Sequence, residues 1–159
     1  MSKTASTKKN NTIDKPIIIL MTRWHAIYRC KNRLSNDIGA FKAAKIQEKL
    51  TNHTIKVAKE IQKEGLADIK VAIDGIGLKA AKKWASINKI KSFATQGAGN
   101  LGTKMKREFL KTHSHHSQNS ILLIGTDLPS ISNLDLIQAI QILSHKEMVL
   151  GPSSDGGYW

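Results

Sequence analysis

The chain reads as an α/β protein: a mostly parallel, twisted sheet with helices on both faces. Three observations predict it. Apolar runs of strand length recur at 16–22, 68–74 and 121–124, and the first and last show no in–out alternation, as expected of strands buried on both faces. Segments with helical periodicity separate them. The intervening stretches are long enough for the crossovers that parallel neighbours require.

The elements follow in order. Met1–Lys15 is polar and lysine-bearing and is expected to be a disordered basic tail, leaving 16–159 as one domain. Pro16–Thr22 opens the sheet as its first strand. Arg23–Ser35 is polar, basic and irregular, and reads as a loop. Ala40–Lys63 is a long helix whose stripe runs through Leu50, Thr54, Val57, Ala58 and Ile61, with Gly65 to end it. Asp68–Asp74 is the second strand and Leu78–Ile87 a short helix. Ser92–Gln96 is a third strand, and Asn100–His113 a helix expected to turn Leu101, Met105, Phe109 and Leu110 inward. Ile121–Ile124 is a buried strand. Ser132 caps a helix from Asn133 to about Ser144, with Asp135 completing a capping box. Met148–Leu150 is a fifth strand, followed by a loop over Gly151–Trp159.

Composition narrows the function classes. The 159 residues carry 25 Lys and Arg against 12 Asp and Glu, a formal charge of +13. Such a balance points first to nucleic acid. Yet the cations are mostly lysines spread over the helices, aromatic residues make up only 5%, and no nucleic-acid motif is present, so no nucleic-acid partner is expected. The last third, 112–159, is net acidic. No apolar run approaches the roughly 20 residues of a membrane-spanning helix. A single cysteine, Cys30, and the absence of an apolar stretch after the N-terminal lysines lead to an expected cytoplasmic location.

In open α/β sheets ligands bind beyond the carboxyl ends of the strands, which directs attention to five loops. Arg23–Ser35 holds three of the four arginines, and with Lys31 these cations suit phosphate oxygens. Asp74–Gly77 follows the second strand. Gln96–Gly102 carries three glycines ahead of a helix N-terminus but lacks both the dinucleotide and the Walker fingerprints. Asp127, between Gly125 and Pro129, can ligate a hard cation such as Mg²⁺ or Mn²⁺ or simply start a turn. Asp155 stands in a second glycine-bearing strand-end loop. His113, His115 and His116 lie in a polar stretch without metal-ligand spacing, and Cys30 has no evident catalytic partner.

Three ordered runs bring a resemblance: Gln96-Gly-x-Gly-Asn-Leu-Gly-x-Lys-Met105, Gly125-Thr-Asp-Leu-Pro129 and Gly151-Pro-x-x-Asp-Gly-Gly-Tyr158. Over residues 16–159 the chain resembles the radical-SAM/selenodomain-associated transferases of the nucleotide-diphospho-sugar transferase superfamily, which has the glycosyltransferase-A-like fold. Arg23–Leu34 is similar to that family's first-loop signature, Lys/Arg-x-Pro-x-Pro-Gly-x-x-Lys-Thr-Arg-Leu. Here His25, Ile27 and Tyr28 replace its Pro, Pro and Gly, and Asn100 replaces a common Asp. Family members usually run further past the last motif, so an incomplete C-terminal side is expected.

The resemblance implies a nucleoside-diphosphate sugar donor, a Mg²⁺ or Mn²⁺ ion and an unknown acceptor. Arg23, Lys31 and Arg33 would engage the nucleotide or its phosphates, Gln96 and Gly97 would line the nucleotide pocket, and Asp127 would hold the metal. Asp155 would face the metal or the sugar. A nucleotidyltransferase consuming an NTP and releasing pyrophosphate shares this fold and these requirements, and an inactive shortened member is a further alternative.

Overall fold

The computed structural model describes residues 15–151. Four strands, β1 (Ile17–Arg23), β2 (Asp68–Asp74), β3 (Ser92–Thr95) and β4 (Ile121–Gly125), form one sheet in the order β3-β2-β1-β4. Every pairing is parallel, with Ile17 opposite both Asp68 and Ile121 and Lys70 opposite Ser92. Five helices accompany them: α1 (Asn32–Ile38), α2 (Ala40–Lys63), α3 (Leu78–Ile87), α4 (Leu101–His115) and α5 (Asn133–Leu143).

β1 lies between β2 and β4, which explains its unbroken apolar run. Ile18 and Leu20 point to one face, Ile19 to the other, and all three are fully buried. Each such side chain contributes about 1.5–3 kcal/mol of burial. On the first face, β1, β2 and β4 meet Ile55, Ala58 and Ile61 of α2, Ala81 of α3 and Leu136 of α5. The second face is smaller, with Ile17, Ile19, Met21 and Ala72 at its centre.

Helix ends follow their local chemistry. After α2, Gly65 takes φ 77°, its N–H donating to Gln62 O while Leu66 N donates to Ile61 O. This is the double closure that favours glycine. α3 ends in the same two bonds, Lys89 to Ser86 and Ile90 to Ala85, but with a lysine at φ 51°. The capping box at α5 forms as expected: Ser132 Oγ accepts from Asp135 N, and Asp135 Oδ2 accepts from Ser132 N at 2.8 Å.

Three expectations need correction. Asn32–Ser35, read as the end of a loop, instead opens a helix that runs to Ile38; this short element has no buried residue and no apolar stripe to announce it. Met148–Leu150 is not a strand, because it pairs with none of the four, and Met148 and Leu150 stand exposed. α4 turns its other side inward. Leu101, Met105, Phe109 and Leu110 are 65%, 38%, 42% and 51% exposed, while Glu108 and Thr112 are buried. Polar ties fix that rotation. Lys70, on the second face of β2, meets Glu108 Oε2 at 2.9 Å and donates to Thr112 Oγ1, and Lys104 meets Asp74 at 2.8 Å. A buried charge costs far more unpaired than an exposed leucine does.

Candidate functional site

All four strands direct their carboxyl ends to one side of the sheet, and the residues there arise in strand order. Arg23 closes β1, Asp74 closes β2, Gln96 follows β3, and Thr126 and Asp127 follow β4. A buried ring of hydroxyls locks β1 to β4 just beneath them. Thr126 Oγ1 donates to Thr22 Oγ1 at 3.0 Å, Thr22 and Thr51 hydroxyls lie 2.9 Å apart, and Gln47 Nε2 donates to Thr51. The residues that follow Thr22 and Thr126 in sequence, Arg23 and Asp127, are thus carried on a rigid base.

Arg23, Arg29, Lys31, Arg33 and Asp127 line an open cleft of about 520 Å³. Lys31 Nζ stands 3.0 Å from Asp127 Oδ1. Its backbone is left-handed at φ 46°, which places it at the threshold of α1. Arg23 Nε donates to Arg29 O at 2.7 Å, tying the two ends of the first loop, and Arg23 Nη1 reaches Asp74 Oδ2 at 3.6 Å. Asp74 is claimed from the other side by Lys104. Among the described residues, Arg29 and Arg33 have no carboxylate within ion-pair distance, so the cleft carries uncommitted positive charge.

Tyr28 adopts φ 63° and is exposed. It occupies the glycine position of the resembled signature, and its left-handed backbone is one that glycine adopts more easily. Cys30 is buried, with its thiol donating to Ala26 O at 3.3 Å. Burial pushes that thiol up, more than the nearby Arg23 and Lys31 lower it, which makes it a poor nucleophile.

Gln96 and Gly97 do not join this cleft; β2 separates their strand from β1. The Gln96 side chain is 4% exposed, and its Nε2 donates to Thr22 O at 3.0 Å and to Ala72 O at 2.8 Å. It clamps the ends of β1 and β2. The glycine loop is held from below by Arg107, which donates to Gln96 O and Ala98 O. A side chain at Gly97, where φ is 71°, would meet Arg107 Nη1 at 3.0 Å. Asn100 caps α4, its Oδ1 accepting from Thr103 N at 2.9 Å.

Asp155 lies outside the described residues. The three histidines of 113–116 stand exposed at the end of α4, as their polar setting implies. Sequence reasoning singled out the Asp74–Gly77 loop but not Asp74 itself as a partner of Arg23 and Lys104. Its strand-end position was the available signal. Arg107 gave none, since a mid-helix arginine reads as surface.

Among the described residues no three His, Cys, Asp or Glu side chains gather as a metal cage. Asp127 offers one accessible carboxylate, its side chain 62% exposed. That is sufficient for a hard cation of the kind that takes one or two carboxylates and completes its shell with water and phosphate. No helix among the described residues is long and apolar enough to cross a membrane.

Comparison with known proteins adds the following. The chain is similar in structure to a Desulfovibrio desulfuricans G20 protein named for the nucleotide-diphospho-sugar transferases, with a TM-score of 0.72 at 23% identity. The match covers 91% of this chain and 61% of that one, so this chain spans under two thirds of its neighbour's length and shares its α/β fold. No curated protein matches. Residues 56–159, from the middle of α2 through the last two motifs, match the profile of DUF2064, described as an uncharacterized protein conserved in bacteria, and the chain belongs to that family.

Proposed function

We propose that this protein is a metal-dependent transferase that binds a nucleoside-diphosphate sugar and passes the sugar to an acceptor. The observation that carries the reading is the convergence of Arg23, Lys31, Arg33 and Asp127 on one cleft at the carboxyl ends of the strands. In this reading Arg23, Lys31 and Arg33 bind the diphosphate, and Asp127 holds Mg²⁺ or Mn²⁺. The ion supplies charge stabilisation of the departing diphosphate. One divalent ion only partly neutralises that group, so the cationic side chains contribute the rest. Lys31, 3.0 Å from Asp127, would stand beside the metal's carboxylate and bind the phosphates from there.

Gly97 and the backbone of its loop serve the nucleotide, while the Gln96 side chain supports them from beneath. By the motif that carries it, Asp155 is assigned to the metal or the sugar in the same reading. A cytoplasmic setting and kinship with the radical-SAM/selenodomain-associated transferases belong to the same proposal, supported by the single thiol and by the ordered motifs.

Isothermal titration with UDP- and GDP-sugars in the presence of Mn²⁺ tests it. Binding should be metal-dependent and lost in Asp127→Ala. A folded protein that binds neither donor, or binds equally well without Asp127, refutes it. Release of pyrophosphate from an NTP, in place of a nucleoside diphosphate from a sugar donor, would instead identify the nucleotidyltransferase chemistry.

A further inference from the structure

The opposite end of the sheet, where the strands begin, holds a second cleft of about 420 Å³ between the last turns of α4 and the starts of β1, β2 and β3. Lys70, Lys91 and Lys111 line it from three different elements, together with Ser92 and Thr112, and Asp68 is its one acidic side chain among the described residues. Ile17 and Ile69 add apolar surface, as do the lysine stems. Its volume falls within the range of small-molecule sites.

The three lysines are not equivalent. Lys70 is committed to the buried Glu108 and to Thr112. Among the described residues, Lys91 and Lys111 have no carboxylate within ion-pair distance. The exposed carbonyls at the end of α4 account for His115, whose Nδ1 lies 2.8 Å from Lys111 O. No such contact accounts for Lys91, which precedes β3 and lines the same cleft as Lys111. Two unpaired ammonium groups and the Ser92 hydroxyl in one cleft, with apolar lining beside them, match an anion with several oxygens on a carbon body.

We propose that this cleft binds a small phosphorylated organic anion, separately from the strand-end site and independently of the reaction proposed there. The test is backbone amide NMR of the ¹⁵N-labelled protein titrated with inorganic pyrophosphate and with ADP, without divalent metal. Saturable shifts at Ser92 and Thr112 are expected, with ADP binding more tightly than pyrophosphate. The Lys91→Ala/Lys111→Ala variant alters exposed side chains only and should keep the wild-type melting temperature. In it the affinity read at Ser92 and Thr112 should fall at least tenfold, while Lys31→Ala should leave those shifts intact. Absence of saturable shifts, or their persistence in the double variant, overturns the proposal. Equal affinity for pyrophosphate and ADP would overturn the organic part and leave a phosphate site.

Discussion

Replacing Gln96 by Glu should destabilise the protein in a pH-dependent way. The amide is buried and donates two hydrogen bonds to the carbonyls of Thr22 and Ala72. Each such bond has a net value of about 1 kcal/mol, and emptying the space adds a packing loss, so Gln96→Ala should cost about 2–4 kcal/mol. At about 2–4 °C per kcal/mol for a domain of this size, the melting temperature should fall by about 5–15 °C.

Gln96→Glu conserves the volume but sets a carboxylate against two carbonyl oxygens. Burial and those oxygens must raise its folded-state pKa above the ordinary glutamate value of about 4.3. Relative to the unfolded chain the protonated form is then favoured in the fold. The Glu variant should therefore be least unstable below that ordinary value and lose stability as pH rises through its raised folded pKa. Urea denaturation of wild type, Gln96→Ala and Gln96→Glu at pH 5 and pH 7 measures this. A Glu variant within about 0.5 kcal/mol of wild type at pH 7, well under the cost of one bond, would show that the clamp does not bear on stability.

Other perturbations follow from the same geometry. Lys70→Met strands Glu108 without its charge partner and should cost about 3–5 kcal/mol, much of it recovered in Lys70→Met/Glu108→Met; chemical denaturation of the three proteins checks the coupling. Lys89→Gly relieves a left-handed lysine and, after glycine's extra unfolded-state entropy, should stabilise by about 0.5–1 kcal/mol, read as a raised melting temperature. Burial lowers the pKa of His25, against the opposing pull of Glu48. Its stabilising effect is thus full above pH 6.5 and is lost as pH falls through the depressed folded value. His25→Asn should flatten that acid-side slope in urea midpoints between pH 7.5 and 5.5, and an unchanged slope would exclude His25 as its source.

Legibility in the sequence tracked how local the cause was. β1 announced itself because burial on both faces leaves no room for alternation. Gly65 and the Ser132–Asp135 pair worked as stop and start signals because their chemistry is complete within a few residues. α4 misled because its orientation is decided elsewhere. Lys70 in β2 and Asp74 at its end recruit Glu108 and Lys104, and apolar periodicity carries no record of charges two strands away. Met148–Leu150 shows the same limit from the other direction, since a strand needs a partner as well as a composition. Within the candidate site, Arg23, Lys31, Arg33 and Asp127 were legible as strand-end cations and carboxylate. The inward role of Gln96 was not, because an amide beside glycines looks the same whether it faces a ligand or two carbonyls.

The pairing of β1 with β4 joins residues about a hundred positions apart, Ile17 to Ile121. During synthesis at about 5–20 residues per second, β1 waits roughly 5–20 s for the strand that covers its second edge. Throughout that interval Ile17–Met21 is an adhesive template, apolar on both sides and open to any extended segment. A strand interior to the finished sheet is therefore the nascent chain's most vulnerable stretch until β4 arrives.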